Sequence, residues 1–589
     1  MKLIEALEIL RHAPAVDAQP LGVFLACGFM PDRFQTFLAA HLRQLFPEHR
    51  VTVEVGLYGD CLGNLERLRL RPRPRPWDAG AVVLEWPDFD PRLGIRSLGG
   101  WDPDNLPDIL ATAGGRAARL QEAIAHVADE VPLAVCLPTL PLPPVSYHPG
   151  RYLGGFELQL RDRLSQFALA LSQVPRVKLV NPQVLDRRSP PADRLDVTSE
   201  LVSGFPYRLP HASVVAERLA WIIRSPVPKK GLITDLDNTL WRGILGEDGP
   251  AGISWDLDHG SHGHGLYQQF LNSLAGAGIL VAFASKNDPA LVEEALRRSD
   301  LIVQRDRIFP LEVHWGPKSG SVQRILRAWN IGADSVIVVD DSPMELAEIQ
   351  SVHPEVECHL FPTRDDQAIY ELIERLREPF GKETITREDG LRLESLRRAD
   401  RSRTGTGSGS GGDAAVARPD EFLEQAEAVL GVDFTKLPPP PRAFELVSKT
   451  NQFNLNGRRP TEGAWHTYLK DPETFLLSVE YSDKFGPLGT IAVLAGRPGG
   501  KTLAVDAWVM SCRAFSRRIE YSCLAVLFEA FAVREITFDF QPTPRNGPIQ
   551  EFFTQLLGQP PGCGVSLTKE VFDARCPVLH HRLEPAVPG

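Results

Sequence analysis

Two aspartates, Asp235 and Asp237, stand one residue apart in the run GLITDLDNTLWRG, from Gly231 to Gly243. Like charges at that spacing repel, so a cation or a phosphorylated group belongs between them. Further along come Ser285 at the end of ILVAFAS, Lys318 in HWGPKSGS, and Asp340 and Asp341 at the end of SVIVVDD. Carboxylates, a hydroxyl and an ammonium thus follow one another in order. A phosphoryl group spreads negative charge over its oxygens, so carboxylates beside it need a divalent cation. Asp235, Asp341 and the backbone carbonyl of Asp237 offer oxygen ligands to Mg2+, leaving room for water and a phosphate oxygen. Bound there, the ion neutralises the charge that would otherwise keep Asp235 from phosphorus. Asp340 is placed to orient Lys318 through a charge pair.

These residues need a scaffold that delivers strand ends to one place. From residue 226 to about 395 the chain alternates strand-like runs (GLITDL, ILVAFAS, SVIVVDD) with helical ones (GLYQQFLNSLAGAG, PALVEEALRRSD, SVQRILRAWN). That alternation predicts a parallel sheet with helices on both faces, whose ligands bind at the carboxyl ends of the strands. Residues 1–225 alternate in the same way, from LGVFLACGF through RVTVEVGLY and AGAVVLEW to VPLAVCLP, and predict a second α/β domain. Residues 396–439 read as a linker and helix. The Gly/Ser-rich stretch Arg401 to Asp420 is its flexible part, and the prolines 438–441 form a stiffer break. Residues 440–589 order their strands and helices as an α+β domain with an antiparallel sheet.

At 589 residues the chain is too long for one hydrophobic core, and two to four domains are expected. A net charge of -11 argues against non-specific nucleic-acid binding. No apolar run reaches the length of a membrane span, and MKLIEALEILRHAP reads as an amphipathic helix, not a signal peptide. A cytoplasmic enzyme is expected, with no membrane or nucleic-acid partner. The eight cysteines are scattered without a CxxC pair and read mostly as buried thiols. The cluster DHGSHGHG (His259, His262, His264) lacks firm ligand spacing and reads as a flexible loop before a helix. The run RPRPRPW, Arg71 to Trp77, reads as a solvated loop.

The D-x-D-x-T run with Ser285, Lys318 and Asp340–Asp341 resembles the four motifs of the haloacid dehalogenase (HAD) superfamily of phosphotransferases. The resemblance implies that Asp235 forms an aspartyl-phosphate and that Asp237 protonates the leaving group and later activates water. It implies that Ser285 and Lys318 hold phosphate oxygens, and that Thr239, Trp241, Lys286 and Asn287 contact substrate. The gaps between motifs hold no cap domain, so the site should be open, or covered by the flanking domains; an open site suits a large or protein-tethered partner.

Four runs, DLDNTLWRGILGEDG, SKND, PKS and VVDDSPMELAEI, look like the FkbH-like subfamily. VSKTNQFNLNGRR, YSDKFGPLGTIAVL and MSCRAFSRRIE are similar to the region that follows its phosphatase-like domain, a region resembling a GNAT acyltransferase. The implied architecture is α/β: a Rossmann-like HAD domain with a parallel sheet, preceded by an SGNH- or flavodoxin-like domain and followed by an α+β GNAT-like domain. The implied activity takes D-1,3-bisphosphoglycerate, a phosphorylated three-carbon acid, with Mg2+. It loads a glyceryl unit onto an acyl carrier protein for polyketide assembly.

The family commonly has Cys before the second-motif serine, where this chain has Ala284. Three resolutions follow. The thiol of the carrier's phosphopantetheine attacks directly; or Cys512, beside Arg513, substitutes; or the protein is only a phosphatase, acts on another substrate, or is a non-catalytic carrier-docking scaffold. The entry SCRAFSRRIEYS has arginines but no glycines, unlike a coenzyme A pyrophosphate turn. A domain that docks the phosphopantetheine arm or braces its neighbour is expected there, with Arg458 and Arg459 as candidate phosphate or carrier contacts.

Overall fold

The computed structural model describes residues 1–13, 18–68, 77–146, 148–224, 227–382, 385, 393–394, 396–397, 427–450, 453–484, 486–511 and 517–585. Most of the RPRPRPW run, the stretch from Arg401 to Asp420, and Cys512 and Arg513 lie outside them. By compactness the chain falls into two units. One comprises Met1–Pro226 with Pro460–Tyr468, the other Val227–Arg459 with Leu469–Gly589.

The first unit carries a sheet of β1 (Gln19–Cys27), β2 (His49–Val55), β3 (Ala79–Val83), β4 (Leu133–Cys136) and β5 (Val177–Leu179). All neighbours are parallel, in the order β2-β1-β3-β4-β5. Alternate side chains of a strand face opposite ways. Val23, Leu25 and Cys27 accordingly enter one core, Phe24 and Ala26 the other. The helix expected from Arg116 begins ten residues earlier, at Leu106, because Ile109, Leu110 and Ala113 extend its buried stripe.

The second unit holds two sheets. One is the parallel set β6 (Gly231–Thr234), β7 (Leu280–Ser285), β8 (Ile308–Val313), β9 (Val336–Asp340) and β10 (Glu357–Leu360), ordered β10-β9-β6-β7-β8. β6 lies at its centre with β9 and β7 on either side, so three carboxyl ends converge. The helix Lys318–Trp329 covers one face with Val322, Ile325 and Trp329. Trp329 lies flush on the start of β6: a Cβ at Gly231 would meet its ring at 2.4 Å. Burying such an indole stabilises by roughly 2–3 kcal/mol.

The other sheet contains β11 (Val429–Asp433), β12 (Phe453–Asn454), β13 (Phe475–Asp483), β14 (Gly486–Gly499), β15 (Thr502–Met510), β16 (Glu535–Phe538), β17 (Val565–Thr568) and β18 (Arg582–Pro585). Its order is β17-β16-β15-β14-β13-β11-β18, with β12 on β15. It is antiparallel, as expected, except at β15–β16 and β11–β18, which run parallel and make the sheet a mixed one. β11 falls in the segment read as linker and helix; Leu430 is buried in this domain's core.

The histidine cluster also differs from its reading. His262 and His264 lie in the helix His262–Gly276. Gly265 is there for close approach, since a Cβ would stand 2.4 Å from the Trp255 carbonyl. Four of the seven described cysteines (Cys27, Cys61, Cys136, Cys523) are buried. Among the described residues no helix is long and apolar enough to cross a membrane.

Candidate active site

Asp235 is the first residue after β6, and its N–H donates to the Val339 carbonyl of β9 at 3.0 Å. That bond sets the end of β6 level with Asp340 and Asp341. The chain then turns sharply. Asn238 adopts φ 53°, a left-handed conformation that Asn tolerates, and its Oδ1 accepts from Gly243 N at 3.2 Å. Ser285 closes β7, Asp340 closes β9, and Lys318 is the first residue of its helix.

These groups meet. Lys318 Nζ stands 2.8 Å from Asp235 Oδ1, 2.5 Å from Asp340 Oδ2 and 2.5 Å from Glu345 Oε2. All of it is sheltered: Lys318 is 4% exposed, Asp235 6% and Asp340 1%. Burial alone would lower the lysine's pKa, but the carboxylates of Asp235 and Asp340 outweigh it and hold the ammonium charged. Asp340 also accepts from Ser342 N at 2.9 Å. Burial first, and then the charge of Asp235, raise Asp340 above the usual carboxylate range and push Asp341 up to about 6. One ammonium does not neutralise this many acids.

Asp235, Asp340 and Asp341 each bring a carboxylate oxygen to within 4.8 Å of the others. Hard anionic oxygens at that spacing suit Mg2+, and the surplus negative charge supplies the reason to bind it. The carboxylate of Asp237 is directed elsewhere. Its Oδ1 accepts from Trp241 Nε1 at 3.0 Å and Leu245 N at 3.1 Å, and its Oδ2 from Asn287 Nδ2 at 2.9 Å. Burial raises its pKa, with these donors opposing. Asp237 is thus fixed in place by three donors.

Thr239 and Trp241, expected on substrate, are fully buried at 0% exposure. Trp241 belongs to the apolar core beneath the site and acts on Asp237 through its indole N–H. Asn287 is 2% exposed and likewise faces Asp237. Lys286 is the half-exposed one of these four and pairs with Glu345 Oε1 at 3.1 Å. Glu345 was not singled out by sequence. Its signal was a carboxylate four residues after Asp341, in the first turn of a helix capped by Ser342.

Between β6 and β7 lie only the helices Leu245–Gly252 and His262–Gly276, so no separate fold is inserted there. His264 Nδ1 bonds the Thr239 carbonyl at 3.0 Å, bracing the Asp235–Asp237 loop from below. Ala284 is 3% exposed and faces the core under the helix Lys318–Trp329. Arg458 is paired with Asp539. A cavity of about 520 Å³ in the first unit, among Met1, His41, Arg188 and Trp221, shares no residue with this site.

No family model matches the chain, and no curated protein matches it. Among solved structures, the chain is similar to one described as the N-terminal part of the protein BF1531 from Bacteroides fragilis, containing a phosphatase domain complexed with Mg. Identity is 18%, the TM-score 0.51, and the match covers 65% of this chain and 100% of that one. A GCN5-related glucosamine N-acetyltransferase region of a fungal multi-domain GH3 β-N-acetylglucosaminidase matches at 11% identity and a TM-score of 0.15, over 90% of this chain and 62% of the other. At that score it carries no structural argument. The first likeness shows the fold: a mixed α/β chain with parallel sheets, similar to a phosphatase-domain protein.

Proposed function

We propose that this chain is a Mg2+-dependent enzyme of the HAD type, FkbH-like, acting on the acyl phosphate of D-1,3-bisphosphoglycerate and passing the glyceryl unit to an acyl carrier protein in polyketide-type biosynthesis. The observation that carries the phosphate half is the buried meeting of Lys318 with Asp235 and Asp340 at the ends of β6 and β9. Asp235, Asp341 and the Asp237 carbonyl would hold the ion, which when bound offsets phosphoryl charge. Lys318 and Ser285 would hold phosphoryl oxygens, and Asp237 would move the proton. The Mg-bound phosphatase-domain neighbour is consistent with this assignment.

The acyl half rests on the motif resemblance and on the absence of an inserted cap, which leaves approach to a tethered substrate. A GNAT-like reading of the last domain is supported by its mixed sheet. There β15 pairs with β16 over Thr502–Val505 and with β12 near its other end. In transfer, the carrier thiol attacks the acyl carbon, the C–O bond breaks and phosphate leaves.

A phosphatase-only reading is favoured by one observation. Position 284 offers a methyl group turned into the core, not a thiol. There the P–O bond breaks, with Asp235 taking the phosphoryl group before water does.

The test is incubation with D-1,3-bisphosphoglycerate, Mg2+ and a cognate holo-carrier in 18O-water, followed by mass spectrometry of both proteins and of phosphate. Glyceryl on the carrier with unlabelled phosphate supports transfer. Labelled phosphate with no acyl adduct means hydrolysis alone. Asp235→Asn should abolish phosphate release in either case, and release that persists would overturn the site assignment.

A further inference from the structure

An ammonium group has three N–H donors. Those of Lys318 face three carboxylates, Asp235, Asp340 and Glu345. Glu345 differs from the other two because its second oxygen also binds a cation: Oε2 takes Lys318 and Oε1 takes Lys286. Two like charges are therefore held side by side on one carboxylate. Lys318 is enclosed at 4% side-chain exposure, whereas Lys286 is 36% exposed and directly follows Ser285. Without the bridge, repulsion and solvent would draw Lys286 away.

Glu345 itself is fixed by its helix. It lies in the first turn of Pro343–Val352, its N–H donates to Ser342 Oγ at 3.4 Å, and Ser342 N donates to Asp340. A negative side chain is favoured at that helix end. The bridge is thus built on the same loop that carries Asp340 and Asp341.

We infer that Glu345 is a positioning residue for anion binding: it places the Lys286 ammonium beside that of Lys318, so that two cations face the oxygens of one phosphoryl group. This rests on the phosphoryl-transfer reading of Asp235. A phosphoryl dianion offers several oxygens, and a second charge-assisted hydrogen bond to it is worth about tenfold or more in affinity.

The full-length chain with Mg2+ is titrated calorimetrically with inorganic phosphate, and turnover is followed with acetyl phosphate. Glu345→Gln should weaken phosphate binding and raise KM about tenfold, with a smaller change in kcat. Lys286→Met, on the exposed side of the bridge, should give the same loss. The double variant should be little worse than either alone, because both changes break one interaction. Glu345→Asp, which keeps the charge on a shorter arm, should recover part of the affinity.

Phosphate affinity within twofold of wild type in Lys286→Met, or losses that add in full in the double variant, would overturn the inference. Should Glu345→Gln fail to fold, Lys286→Met decides alone. Asp235→Asn separates the two levels: if it still turns over acetyl phosphate, the phosphoryl-transfer reading fails; if it is inactive while Lys286→Met binds normally, the bridge alone fails.

Discussion

Lys318 Nζ stands 2.8 Å from Asp235 Oδ1, inside the protein and with its other two N–H groups spent on Asp340 and Glu345. All three N–H donors of the lysine face protein carboxylates, so a phosphoryl oxygen that engages Lys318 must share or displace one of these contacts. Lys318→Met removes the ammonium and leaves three sheltered carboxylates facing one another. Breaking such a buried pair costs about 3–5 kcal/mol. The expected outcome is a melting temperature that drops in EDTA and is partly restored by Mg2+, with phosphate release down by about 10² or more. An unchanged melting point in EDTA would show that the triad is not under this electrostatic load.

Metal binding should stabilise the wild-type chain by linkage and should weaken at low pH. Burial and the charge of Asp235 push Asp341 up to about 6, and a carboxylate ligates only when ionised. The Mg2+-induced rise in melting temperature should therefore be larger at pH 7.5 than at pH 5. Asp341→Asn should shrink it at both. A Mg2+ shift that is pH-independent and survives Asp341→Asn would place the ion elsewhere.

Asp237 is held by Trp241, Leu245 and Asn287. Asn287→Asp keeps the shape of that side chain but sets a second carboxylate against Asp237 Oδ2. Repulsion replaces a hydrogen bond, and the proton carrier is misplaced and over-protonated. A fall in kcat of about 10² is expected, the scale of general acid–base catalysis, with near-wild-type circular dichroism. Activity within a few-fold of wild type would mean that Asp237 does not carry the proton.

In the first unit, burial pushes Asp88 up to about 7 and Glu85 up to about 6. Their unfolded-state values are near 4, so between pH 4 and 7 the folded chain binds more protons than the unfolded one. Stability contributed by these groups must fall as pH rises through that window. Buried His41 and His211, lowered by burial to about 4 and about 3, act in the opposite sense and lose stability as pH falls below 6.5. Asp88→Asn isolates the first effect. Its advantage over wild type should grow from pH 5 to pH 8 and reach a few kcal/mol. Parallel stability curves would contradict the assignment.

What the sequence made legible was local. Asp235, Ser285, Lys318 and Asp340 end or begin strongly patterned segments, and β6, β7 and β9 are short apolar runs, the length and the β-branched residues of which favour buried strands. The edge strand β10 was not legible: ECHL is half-buried and carries no clear alternation. β11 was hidden by the linker before it, since its identity as a strand depends on β13 and β18 beside it. Thr239 and Trp241 were read as substrate contacts because motif proximity says nothing about which way a side chain turns. Glu345 was missed because its meaning lies in Lys286, 59 positions away along the chain and brought to it only by the fold.

The close packing of Trp329 on Gly231 has a mechanical consequence. One helix touches the beginning of the strand that leads into Asp235, and the same helix starts with Lys318, about 16 Å along its axis from Trp329. The far end of that helix is seated on a residue with no side chain. Bulk added at position 231 must displace the Trp329 ring, and a helix that follows it is expected to shift Lys318 relative to Asp235. Activity is therefore expected to be sensitive to the opposite end of the sheet, with every ligand and every charge still present.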